Sequence, residues 1–136
     1  MMPMQTRILV IDDSEVVLTR MKMALMSAGY EVMTTNQTVG AARFLKNCDL
    51  VIIDYHMPGL NGSAVVKSLK SALAAMDRVP LFYVYTSDES VENTCRTLGF
   101  DGSFVRKGDL SALVPQVQAA LRLYQLVKRT RNKGQR

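Results

Sequence analysis

The residues of this chain best placed to do chemistry are acids at the ends of apolar runs. Ile8-Leu9-Val10-Ile11 ends in Asp12 and Asp13, and Leu50-Val51-Ile52-Ile53 ends in Asp54, with His56-Met57-Pro58-Gly59 close behind. Both runs have the length and the Val, Ile and Leu content of buried parallel strands. Ligands of open parallel sheets sit beyond the carboxyl ends of the strands, so three carboxylates on neighbouring strands converge on one point. Packed together they repel one another unless a hard cation such as Mg²⁺ holds them through oxygen ligands. Two later runs reach the same edge. Leu81-Phe82-Tyr83-Val84-Tyr85 ends in Thr86-Ser87, and Ser103-Phe104-Val105 leads into Arg106-Lys107. A hydroxyl and a cationic side chain therefore arrive beside the acids.

The elements that must position these groups alternate five times. A strand at 7–11 precedes a helix over 14–28, with Ser14 as N-cap, Gly29 as the stop, and Val17, Met21, Ala24, Leu25 and Ala28 as its apolar stripe. Tyr30 to Thr34 alternates and reads as an edge strand. Thr38 to Lys46 predicts a short helix with Val39, Ala42 and Leu45 inward. A third strand covers 49–53. After a Pro58-Gly59 turn, a helix over 62–75 carries Val65, Val66, Leu69 and Leu73. A fourth strand at 81–85 leads to a helix over 89–98 bearing Val91, Cys95 and Leu98 and ended by Gly99. A fifth strand at 102–105 precedes a last helix that is capped by Asp109 and presents Leu110, Leu113, Val114, Val117, Leu121 and Tyr124. Repeated βα units predict a single doubly wound α/β domain, a five-stranded parallel sheet with right-handed crossovers and helices on both faces. The expected strand order is 2-1-3-4-5, that of flavodoxin-like sheets.

Bulk properties set limits. A chain of 136 residues argues for one domain with a real core, and 48% apolar residues is ordinary for a soluble globule. The net charge of +5 is uneven, because the last nine residues hold Lys128, Arg129, Arg131, Lys133 and Arg136 and no acid. Setting those five aside from the 17 basic residues leaves twelve, against twelve acids, so the body is neutral by count. The expected division is a domain over 1–127 and a basic tail or linker over 128–136. That tail reads as a solvated, partly helical end, as a linker to an output domain, or as a contact for nucleic acid or an acidic partner. No aromatic residue follows Tyr124, which argues against a stacking surface for single strands. Cys48 and Cys95 fit no metal or redox motif and read as reduced, buried thiols. No run reaches the ~18 apolar residues of a membrane span, and no signal-like apolar region opens the chain, so a cytoplasmic protein is expected.

An acid pair, a single acid, a hydroxyl and a lysine, each at a strand end in this order, resemble a response-regulator receiver domain, the phosphoacceptor half of two-component signalling. The resemblance covers roughly residues 6–127. It implies that Asp54 is the nucleophile, since a carboxylate can take a phosphoryl group as an acyl phosphate, and that charge neutralisation at the phosphoryl group comes from Mg²⁺ and Lys107. It implies that Asp13 and Asp54 bind the ion directly, Asp12 partly through water, and that the backbone carbonyl of His56 adds an oxygen. Of Thr86 and Ser87, the end of the apolar run selects Thr86 as the hydroxyl that meets the phosphoryl group. Of Arg106 and Lys107, the three-residue offset from Phe104 selects Lys107. Phe104 stands where the family carries an aromatic that rotates inward when the threonine moves. Phosphorylation then shifts the population of the 86–90 loop and the Phe104 ring, and a partner reads the change.

Two departures stand out. The family usually has proline after the lysine, often with a cis bond, and here the residue is Gly108. A cis bond without proline costs about 3 kcal/mol, so a trans, looser loop is expected. His56, two residues past the nucleophile, is the chain's only histidine. Histidine as a residue type changes charge near physiological pH, so two readings stay open: a group that makes acyl-phosphate lifetime depend on pH, or one that simply faces solvent.

The implied donor is a sensor histidine kinase or phosphotransfer protein. The implied output is an unidentified protein bound on the face of the fourth predicted helix, the fifth strand and the last helix, by a monomer or a phosphorylation-dependent dimer. Nucleic acid and membrane are not expected for the domain alone, nor is conventional enzyme activity. Rival readings are a phosphorylation-independent interaction module and the input domain of a larger DNA-binding regulator. A haloacid-dehalogenase-type hydrolase would separate its two acids by one residue, whereas Asp12 and Asp13 adjoin. A flavodoxin-type cofactor binder would need a phosphate loop where those acids stand, and no Gly-rich Lys-Ser/Thr loop occurs.

Overall fold

The computed structural model describes residues 5–57, 60–73 and 79–134. Five strands, β1 (Arg7–Ile11), β2 (Glu31–Thr35), β3 (Leu50–Asp54), β6 (Leu81–Tyr85) and β7 (Gly102–Phe104), form one parallel sheet in the order β2-β1-β3-β6-β7. Counting only these five in chain order, this is the predicted 2-1-3-4-5. The short strands β4 (His56–Met57) and β5 (Leu60–Asn61) pair antiparallel beside it. The sequence showed only the Pro58-Gly59 turn between them, which lies outside the described residues.

Strand alternation divides the core into two layers. Leu9, Ile11, Val51, Ile53, Phe82 and Val84 face α2 (Gly62–Ala72) and α3 (Glu89–Thr94). Ile8, Val10, Leu50, Ile52 and Tyr85 face α1 (Glu15–Ser27) and α4 (Leu110–Gly134). β3 is buried at all five positions because helices cover both its faces. The Ser14 hydroxyl accepts from the Val17 amide and caps α1, and Gly29, at φ 99°, ends it. Leu18, Met21 and Leu25 are the buried stripe of α1, while Val17, Ala24 and Ala28 are half-buried at its margin.

Two expectations need correction. The predicted helix at Thr38–Lys46 is a single 3₁₀ turn, Ala41–Phe44, entered through Gly40 at φ 81° and left through Asn47 at φ 61°. Leu45 is buried as expected, Ala42 is half-buried against the core and Ala41 is buried, but Val39 is 89% exposed rather than inward. The helix predicted over 89–98 stops at Thr94, and the chain closes in turns that Gly99 completes at φ 106°. The last helix continues to Gly134, so the basic stretch after 127 is helical in its backbone, as the reading of a partly helical end allowed. The helix predicted to 75 is described to Ala72, and residues 74–75 lie outside the described set.

One side chain covers the backbone just past the end of the outer strand β7. The Gln116 amide accepts from Val105 N at 2.9 Å and donates to Val105 O at 3.1 Å, which holds the end of β7 to α4. Among the described residues no helix is long and apolar enough to cross a membrane.

Candidate functional site

β1 and β3 are neighbours, and Ile11 is in register with Ile53. Asp12 and Asp54 therefore leave the carboxyl edge of the sheet side by side. Both are almost fully buried, 3% and 5% exposed, while Asp13 faces solvent. Carboxylate oxygens of Asp12, Asp13 and Asp54 all lie within 4.8 Å of one another.

Lys107 reaches this cluster from the loop after β7. Its Nζ donates to Asp54 Oδ1 at 2.7 Å and stands 3.4 Å from Asp12 Oδ2. Burial alone would lower the lysine's pKa, but the Asp54 hydrogen bond and the charges of Asp54 and Asp12 outweigh it and raise the value. Burial pushes the Asp12 carboxyl up, against the lowering effects of the Ser14 amide, which donates to Oδ1 at 3.0 Å, and of Lys107. Three carboxylates thus face one ammonium, which leaves the site short of positive charge.

The donor set fits a hard divalent ion. All three side chains offer oxygen, the donor that such an ion prefers, and they converge within reach of one ion. The His56 amide donates to Asp54 Oδ1 at 3.3 Å, which turns the β3–β4 link back over the cluster. The backbone of His56 therefore borders the acids.

Thr86, at the end of β6, is 2% exposed, and among the described residues its hydroxyl is engaged locally: Oγ1 accepts from the Asp88 amide at 3.1 Å. The cluster thus brings together Asp12, Asp13, Asp54 and Lys107, with Thr86 directed into its own turn. Phe104 is buried and stacks on Tyr83, centroids 4.5 Å apart, so the ring is already inward. The peptide bonds around Lys107 are trans, and Gly108 adopts φ 98°.

His56 faces solvent, its side chain 63% exposed, but it is not without a partner. Its Nε2 lies 3.1 Å from Asp88 Oδ2, which links the β3–β4 turn to the start of α3 across the mouth of the site. The Ser90 hydroxyl, and then His56, hold the Asp88 carboxyl below the usual range. Sequence reasoning also passed over Gly62. A Cβ there would stand 3.0 Å from Tyr55 Cα and 3.1 Å from Asp54 O, tighter than side chains ordinarily pack, so α2 starts close against the end of β3 at a glycine. No local signal marked Gly62, although Asn61 before it is a recognisable N-cap.

A family model described as the response regulator receiver domain matches residues 8–118. The chain is 34% identical over 123 residues to transcriptional regulatory protein PrrA of Mycobacterium leprae, covering 85% of this chain and 50% of that protein. It is 28% identical over 119 residues to the autoinducer sensor kinase/phosphatase CqsS of Vibrio cholerae, covering 85% of this chain and 17% of that one. The chain thus spans half or less of these two relatives. Among solved structures, the chemotaxis response regulator CheY4 of Vibrio cholerae superposes with a TM-score of 0.70 at 24% identity, over 85% of this chain and 98% of that one. A CheY-like receiver domain from Methanospirillum hungatei JF-1 gives 0.74 at 20% identity, over 90% and 98%.

Proposed function

The chain belongs to the response-regulator receiver family, and from that premise we propose that Asp54 takes the phosphoryl group, with Lys107 and Thr86 as its polar partners. One observation carries the assignment. Asp54 is the buried acid at the end of the central strand, and its Oδ1 is held at 2.7 Å by Lys107. An Asp54 oxygen attacks the phosphorus of a phosphohistidine on a sensor histidine kinase or phosphotransfer protein. The P–O bond forms, the P–N bond breaks, and the departing imidazole keeps the electron pair and takes up a proton. Lys107 is positioned to follow the charge from the carboxylate onto the phosphoryl oxygens.

Asp12, Asp13, Asp54 and the His56 carbonyl would hold Mg²⁺. The ion supplies charge neutralisation for the phosphoryl oxygens. The Thr86 hydroxyl accepts from the Asp88 amide and keeps its proton free to donate to a phosphoryl oxygen, so turning towards that oxygen would pull on the start of α3 beside the buried Phe104. We assign the altered surface to α3, β7 and α4, where a downstream protein would bind. The body of the domain is placed at 1–127, with the basic stretch after it as tail or linker. The chain accepts a phosphoryl group rather than turning over a substrate.

The test is intact mass after incubation with acetyl phosphate, with and without Mg²⁺, for the wild type and Asp54→Asn. A Mg²⁺-dependent gain of one phosphoryl group that Asp54→Asn abolishes is expected. No gain in a folded wild-type protein would refute phosphoacceptance from small donors and favour a phosphorylation-independent interaction module.

A further inference from the structure

We infer that Tyr85 is a positioning residue for Lys107, its buried hydroxyl clamping the two peptide groups on either side of the lysine. The inference rests on the reading of Lys107 and Asp54 given above. Tyr85 is the last residue of β6, in register with Asp54 on one side and Phe104 on the other. It is 1% exposed, so its hydroxyl must find partners inside the protein. Both partners lie in the loop that carries Lys107. The hydroxyl accepts from Gly108 N at 3.1 Å and donates to Arg106 O at a longer 3.4 Å. Burial pushes the phenol up, so it keeps the proton that it donates.

The loop needs such a clamp. Arg106 at φ 59° and Gly108 at φ 98° put left-handed backbone on both sides of Lys107, and arginine is strained there. Backbone of this kind persists only where its surroundings over-determine it. Packing does not do so at Gly108, since a Cβ there would meet nothing within 4 Å. Nor does a proline ring, because the residue is glycine. Among the described residues, the bonds to these two backbone groups come from the hydroxyl of Tyr85 and from the Asp109 amide, which shares Arg106 O at 3.0 Å. Tyr85 thus replaces covalent stiffness with a hydrogen-bonded brace anchored in the sheet core.

Tyr85→Phe removes the hydroxyl and keeps the ring. The phosphorylation rate by acetyl phosphate is expected to fall about tenfold, the scale of a modestly misplaced catalytic group. In a Lys107→Ala background the same substitution should change the rate less than twofold, because the group it positions is gone. NMR supplies a readout that does not need the phosphoryl group. In Tyr85→Phe the Gly108 amide should exchange at least tenfold faster, and the Lys107 ammonium signal should lose its protection. Equal slowing in both backgrounds, an unchanged rate, or unchanged Gly108 and Lys107 signals would overturn the inference. If the wild type takes no phosphoryl group, the reading of Asp54 fails, and the NMR signals still decide the role of Tyr85.

Discussion

Replacing Asp13 by asparagine should strengthen the metal-free fold while weakening its response to Mg²⁺. Asp13 is the exposed member of the acid cluster, and no hydrogen bond or ion pair to its carboxylate is found among the described residues. Removing its charge therefore relieves repulsion without breaking a pair. Two unit charges 4.8 Å apart repel by about 3.5 kcal/mol at an effective dielectric of ~20 and by about 0.9 kcal/mol in bulk water. Asp13 faces two such neighbours from the solvent side and loses some attraction to Lys107, so a net gain of about 1–2 kcal/mol is expected. Mg²⁺ acts in the opposite sense. At a hundred times its dissociation constant it stabilises the wild type by about 2.7 kcal/mol. Loss of a charged direct ligand should weaken binding at least as much as loss of a supporting partner, up to about 100-fold, which leaves a gain of about 0.4 kcal/mol. Urea unfolding of both proteins in EDTA and across a Mg²⁺ titration gives both quantities. The variant should be the more stable protein in EDTA and the less stable at saturating Mg²⁺ for the wild type. A variant less stable in EDTA, or one with an undiminished gain from Mg²⁺, would refute the convergence of three charged acids on one ion.

Three further outcomes follow from particular contacts. Gly62→Ala forces a Cβ to 3.0 Å from Tyr55 Cα and should cost about 1–3 kcal/mol in urea unfolding, with slower phosphorylation because Asp54 O lies equally close; a neutral result would show that α2 slides freely. Val39→Ser, at an 89% exposed position, should shift stability by less than about 0.5 kcal/mol, whereas a loss above about 1 kcal/mol would mean that Val39 packs inward. The Asp109 carboxyl is held below its ordinary value of 3.8 by the Ser111 hydroxyl and the Ser111 and Ala112 amides. Its contribution should therefore be complete above that value and disappear as pH falls through the lowered one. The melting-temperature gap between wild type and Asp109→Ala should stay constant from pH 7 to about 5 and narrow below about 4; a gap that widens on acidification would contradict the cap.

β1, β3 and β6 were legible because their apolar runs are short, continuous and rich in branched or aromatic residues, and each runs into a polar residue at the carboxyl edge of the sheet, where Asp12, Asp54 and Thr86 are buried. That pattern located Asp12, Asp54 and Lys107, which the fold brings together. The segment 38–46 misled because its apolar residues fit a helical period, while Gly40 and Asn47 in left-handed backbone leave room for only one tight turn. The helix after β6 was overextended because Cys95 and Leu98 keep the period through turns that are not helical. The hydroxyl of Tyr85 and the pairing of His56 with Asp88 were illegible for a different reason. Each joins residues 21 to 32 positions apart, and such contacts exist only once the strands are in register.

The amide of Gln116 has a consequence for how this domain can meet other molecules. The outermost strand of a sheet offers unpaired backbone groups to any extended chain that drifts alongside, including a second copy of itself. At Val105 a side-chain amide already sits where the peptide group of an added strand would go, and it makes both bonds that the newcomer would make. An extended segment must evict Gln116 before it can lengthen the sheet there. Binding on this side therefore favours visitors that read the shape and charge of side chains, and such contacts can be undone without unzipping a backbone ladder. For a molecule whose message must end as readily as it begins, one glutamine keeps encounters reversible.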